Sequence, residues 1–133
     1  MSSEFNRVQL DDEVTDMLAQ LKQRTGLTPN YLARIGLCYS LNEARPPTAE
    51  VYDSDGQVLN RYTLLGEHDA LYMALVRKRM LNEGRNPEDE LYDYFILHLN
   101  RGVERLYGRI SGLGDLFTLI PNELKSSDER VGS

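Results

Sequence analysis

The stretch RTGLTPNYLARIGLCYSL, residues 24–41, ends one helix and starts another. Gly26 suits the left-handed backbone position that stops a helix. Two residues on, Thr28 is placed to cap a new one, and Pro29 fits its first position, where a missing N–H leaves no bond unmade. Leu27 and Leu32 stand where a hydrophobic staple fixes the angle at which the chain enters the helix. Leu32, Ile35 and Tyr39 make one apolar face, with Tyr31 and Cys38 beside it. Two short helices joined by a glycine turn are a frequent DNA-docking unit. The chain nevertheless carries a formal net charge of −6, the sign of DNA itself.

On the N-terminal side, RVQL (Arg7 to Leu10) alternates polar with apolar, the period of a strand. Asp11 then caps a first helix whose Val14, Met17, Leu18 and Leu21 repeat on one face, with Lys22 and Arg24 suited to its last turn. The order strand, helix, glycine turn, capped helix is that of a ribbon-helix-helix unit. There, strands of two chains pair and alternate residues enter the major groove. Arg7 and Gln9 are the outward pair, and Val8 and Leu10 turn to the core. Thr28 and Asn30, at the start of the second helix, are placed to offer N–H groups to a phosphate. A helical hairpin used only for dimerisation fits the same pattern.

On the C-terminal side, Arg45-Pro46-Pro47 ends the second helix. EVYDSDGQVLNRYTLL (residues 50–65) has two β-prone runs around Asp55-Gly56 and predicts a short β-hairpin or an extended loop, a place for something else to dock. A third helix is expected from about Glu67 to Glu83, with Leu71, Leu75, Val76 and Met80 inward and Gly84 closing it. Asn86-Pro87 opens the last helix. Its Tyr92, Ile96, Leu99, Val103, Leu106 and Ile110 recur at steps of four and three, widened by Leu91 and Phe95. That helix is predicted to lie between two partners and to offer some apolar surface to another subunit. The expected fold is mainly α: one compact helical domain over residues 5–118, with a ribbon-helix-helix-like strand/helix/helix at its N-terminus. Residues 122–133 form a polar tail expected to be disordered.

At 133 residues the chain is long enough for a real core. No run approaches 18 apolar residues, and MSSEFNRVQLDDE has neither the basic nor the apolar region of a signal peptide. With one cysteine and no leader, a reducing cytoplasm is the expected location. No catalytic site, cofactor or metal centre is predicted. His68 and His98 are thirty positions apart, His98 reading as a partly buried, satisfied histidine and His68 as a helix cap. Around Gly56 a calcium loop would need carboxylates at Val51 and Tyr62 and lacks both. SGLGD (Ser111 to Asp115) has no lysine for a phosphate loop and reads as a helix terminator. Cys38, without a basic neighbour to lower its pKa, reads as core. The basic groups are more telling. Arg77, Lys78 and Arg79 are adjacent cations that repel, and phosphate is their natural partner. Arg101, Arg105 and Arg109 fall in one stripe on the last helix, which equally complements that helix's dipole.

Two segments, LKQRTGLTPNYLARIGLCYSL (Leu21 to Leu41) and NRYTLLGEHDALYMAL (Asn60 to Leu75), are similar to the DndE family of the bacterial DNA phosphorothioation (sulfur-modification) system, and the likeness extends from Phe5 to Leu113. The resemblance implies a DNA-associated accessory subunit that transfers no sulfur itself. It further implies a homo-oligomer, a tetramer, that prefers nicked double-stranded DNA. Its partners would be a cysteine desulfurase, an ATP-pyrophosphatase-like sulfurtransferase and a coiled-coil ATPase. On this reading the DNA-binding residues are Arg7, Gln9, Lys22, Arg24, Thr28, Asn30, Arg77, Lys78, Arg79, Arg101 and Arg105. A DNA-nicking phosphodiesterase and a scaffold that binds no DNA are the alternatives.

Overall fold

In the computed structural model, residues 5–48 and 52–112 are described; the expected tail at 122–133 lies outside them. The order is β1 (Arg7–Gln9), α1 (Asp12–Thr25), α2 (Pro29–Leu41), β2 (Val58–Asn60), α3 (Arg61–Leu65), a 3-10 turn (Gly66–His68), α4 (Asp69–Asn82) and α5 (Pro87–Arg109). α5 is the axis of the domain, with α1, α2 and α4 packed around it.

Local chemistry sets the first two helices. The Asp11 carboxylate accepts the Val14 N–H, and Gly26 ends α1 at φ 79° with its own N–H returned to the Lys22 carbonyl. Thr28 caps α2 through the Tyr31 N–H. Val14, Leu18 and Leu21 of α1 and Leu32 and Leu37 of α2 are fully or almost fully buried, each worth roughly 2 kcal/mol of apolar transfer.

The two longest-packed helices cross backbone against backbone at Gly36 of α2 and Gly102 of α5. A Cβ added at Gly102 would stand 2.0 Å from the Gly36 carbonyl oxygen.

Several expectations are corrected. α2 ends at Leu41, four residues before Arg45, because its last carbonyls are taken by side chains from α4 and α5. Of the hairpin or extended loop expected over 50–65, the described residues 52–57 run as a loop into β2, without a hairpin of their own. β2 pairs antiparallel with β1, Val8 opposite Leu59, so β1 has a partner strand within its own chain. The Asn60 side chain caps α3 through the Tyr62 and Thr63 N–H groups, turning a β-prone run into helix. The helix expected from about Glu67 to Glu83 is α4, which runs Asp69–Asn82 after a 3-10 turn, but its inward face differs. Met73, Val76 and Met80 face the core, whereas Leu71 and Leu75 are exposed. Cys38 is exposed rather than core, with its thiol 3.6 Å from the Tyr72 hydroxyl. His68 stands at the start of α4 without making a side-chain cap. No helix among the described residues is long and apolar enough to cross a membrane.

Candidate nucleic-acid interface

The C-terminus of a helix leaves its last carbonyls without partners and carries partial negative charge. At the end of α2 both are answered by arginine. Arg79 of α4 donates to the Leu41 carbonyl (2.8 Å) and the Ala44 carbonyl (2.9 Å), and pairs with Glu83 at 2.6 Å. Arg101 of α5 donates to the Ser40 hydroxyl (2.8 Å), the Ser40 carbonyl (3.0 Å) and the Arg45 carbonyl (2.6 Å), and is only 4% exposed. One turn further along α5, Arg105 meets Glu43 as a fork, Nε to Oε1 at 3.0 Å and Nη2 to Oε2 at 3.1 Å. Arg109, exposed, lies with its guanidinium 5.4 Å from the centre of the Tyr39 ring. Together Tyr39, Asn42, Glu43, Arg45, Arg105 and Arg109 line an open groove of about 570 Å³. A second hollow continues from it past Pro46, Pro47, Tyr52 and Glu104.

The groove is positive in a negative protein. Arg45, Arg101, Arg105 and Arg109 stand there against Glu43 and Glu104. The hydrogen bond from Arg105, with the charge of Arg101 and Arg45 added, holds the Glu43 carboxyl below its ordinary pKa despite some burial. Beneath the groove lies a buried polar chain. Arg101 Nε donates to the Ser40 hydroxyl, which leaves that hydroxyl's proton free for His98 Nδ1 at 2.8 Å. His98 Nε2 is then the protonated nitrogen and is buried without a partner. Burial first, then the nearby charges of Arg101 and Arg79, pushes its pKa down to about 3, so the ring is neutral.

The residues expected to meet DNA are divided by this geometry. Arg7, Lys22 and Lys78 are exposed. Arg24 is exposed but leans on the end of α5, bonded to the Ile110 carbonyl at 3.2 Å and stacked over Tyr107. Arg77 is half-buried. Gln9 is turned inward, its amide donating to the Gly56 carbonyl while its N–H meets the Tyr92 hydroxyl. Thr28 is spent on capping α2, and Asn30 holds a buried Oδ1 without a hydrogen bond. Arg79 and Arg101 are internal braces, because a helix end with bare carbonyls lies within their reach. Arg105 is 40% exposed at its side chain, and its fork is paired with Glu43. Arg45, Glu43 and Tyr39 were not among the expected site residues. Arg109 was visible in the stripe at 101, 105 and 109, and an arginine just past a helix end was the available signal for Arg45. Among the described residues, no group of three or more His, Cys, Asp and Glu is arranged to hold a metal ion.

Comparison with known families matches residues 7–112 to one described as "DNA sulphur modification protein DndE". The chain belongs to the DndE family. Among solved structures it is similar to DndE from Escherichia coli B7A, which is described as involved in DNA phosphorothioation modification. The identity is 27% and the TM-score 0.64, covering 80% of this chain and 99% of that one. It is also similar to a glycine-to-lysine mutant of DndE described as involved in DNA phosphorothioation, at 25% identity and TM-score 0.63, with the same coverage. No curated protein matches the chain.

Proposed function

We propose that this chain is a DNA-binding accessory subunit of the DNA phosphorothioation machinery, with no chemistry of its own. Family membership supplies the process. The observation that carries DNA contact is the groove at the end of α2, where Arg45 and Arg109 are exposed, in contrast to the buried Arg101. Guanidinium is suited to phosphate because its planar N–H groups match two oxygens at once, and Tyr39 offers a ring face beside it. Arg7, Lys22 and Lys78 are exposed cations that extend contact with the backbone. The net charge of −6 is no obstacle on this reading, since the local field in a cleft steers a ligand more than the total does. In a homotetramer, four such grooves would act on one duplex, with preference for a nicked site where the backbone is free to bend. The desulfurase, the sulfurtransferase and the ATPase of the same system are the proposed protein partners.

The test is fluorescence anisotropy of the full chain on intact, nicked and single-stranded DNA across a salt series, with a parallel magnesium incubation read for new breaks. The expected result is binding that prefers nicked duplex, weakens steeply with salt and produces no cleavage. Negligible binding to every DNA would contradict it and leave a scaffold; magnesium-dependent breaks would make the protein an enzyme.

A further inference from the structure

The fork that Arg105 presents in the groove is already filled by a carboxylate of the same chain. Glu43 gives one oxygen to Nε and the other to Nη2, the two-point geometry in which guanidinium also takes phosphate. Arg101 Nη1 approaches to 3.4 Å the same Glu43 oxygen that Nη2 holds. Glu43 comes from the turn after α2, and its side chain is 29% exposed, so it can swing to solvent without disturbing a helix. Its backbone stays in place through the Ser40 carbonyl.

We propose that Glu43 is a resident stand-in for phosphate, and that the ligand which displaces it is a terminal phosphate monoester on a nucleic-acid strand. The inference rests on the groove being the DNA site and adds which phosphate that site selects. Charge makes the selection. A backbone diester carries one negative charge, so exchanging it for the Glu43 carboxylate replaces like with like. A terminal monoester carries about 1.5 to 2 negative charges near neutral pH and a third free oxygen. The extra charge is met by Arg45 and Arg109, which line the same groove as the fork. Intact backbone is thereby held weakly, and a phosphorylated strand end is held well.

The experiment measures anisotropy of the full chain on three duplexes: one with a nick bearing a 5′-phosphate, one with a nick bearing a 5′-hydroxyl, and one intact. The wild-type protein is expected to bind the phosphorylated nick about tenfold tighter than the hydroxyl nick. Glu43→Gln is expected to tighten the hydroxyl-nicked and intact duplexes about fivefold and so to shrink that preference. Equal wild-type affinity for the two nicks, or no change on Glu43→Gln, would overturn the proposal. So would inorganic phosphate competing as strongly as the strand end, because the ligand would then be free phosphate. Arg45→Gln with Arg109→Gln tests the groove separately. If that pair leaves all three affinities unchanged, the site reading fails; if it weakens them while Glu43→Gln does nothing, only the stand-in fails. Should Glu43→Gln not fold, the wild-type Glu43 carboxyl carbon is followed by NMR during titration with the phosphorylated nick. Its signal is expected to move to that of a solvated carboxylate, and an unmoved signal would overturn the proposal.

Discussion

The two ends of α2 are both rich in basic residues nearby, and they use them differently. At the amide end, Lys22 is exposed and Arg24 leans on Tyr107, while a neutral Thr28 satisfies the helix. At the carbonyl end, Arg79 and Arg101 are consumed by backbone oxygens before any ligand arrives. A count of arginines therefore overstates the charge available outside. What remains for a ligand at the carbonyl end is the outer layer, Arg45, Arg105 and Arg109, with the Arg45 main chain anchored by Arg101.

Separating those layers begins at the crossing that sets them. Gly102→Ala would place a Cβ 2.0 Å from the Gly36 carbonyl oxygen, and should destabilise the fold by at least about 3 kcal/mol, read as the midpoint of urea unfolding. Arg101→Met should cost about 2 to 3 kcal/mol, because it removes the charged donor from the Ser40 hydroxyl, the Ser40 carbonyl and the Arg45 carbonyl at once. If it cost no more than an exposed arginine does, the inner layer would not be a brace.

The buried chain below the groove gives a pH test. The folded His98 pKa of about 3 lies below the ordinary 6.5, so the unfolded chain takes up a proton that the folded one refuses. Stability from this group is full above pH 6.5 and falls as pH drops from 6.5 toward 3, by up to about 1.4 kcal/mol per pH unit. Urea unfolding at pH 7.5 and 5.5 should show that slope, and His98→Gln should flatten it. At the other end of α2, Thr28→Ala should cost only about 1 kcal/mol, the value of one exposed cap, by the same unfolding measurement.

How much of this was legible follows the range of the interactions. The strand, α1 and the start of α2 were readable because Asp11, Gly26, Thr28 and Pro29 act on their immediate neighbours. The end of α2 was not, since Pro46 and Pro47 mark only the last place it could stop, and arginines from distant helices stopped it sooner. α4 carries leucines on its outer face as well as apolar residues on its inner one, so periodicity alone could not choose Met73 over Leu71 and Leu75. The pairing of β2 with β1 spans some fifty residues and leaves no local sign. For the candidate site, the spacing of Arg101, Arg105 and Arg109 gave the helix face. It did not give depth: three residues alike in sequence are buried, half-exposed and exposed according to how close α2 approaches.

The most direct test compares the two ends of α2 in salt-dependent binding to nicked duplex. Arg45→Gln with Arg109→Gln is expected to lower the slope of log affinity against log salt by about two, one for each cation removed, and to weaken binding at every salt. A smaller change is expected for Lys22→Gln with Arg24→Gln. A full slope retained by the first pair and reduced by the second would move the DNA site to the amide end and contradict the assignment of the groove.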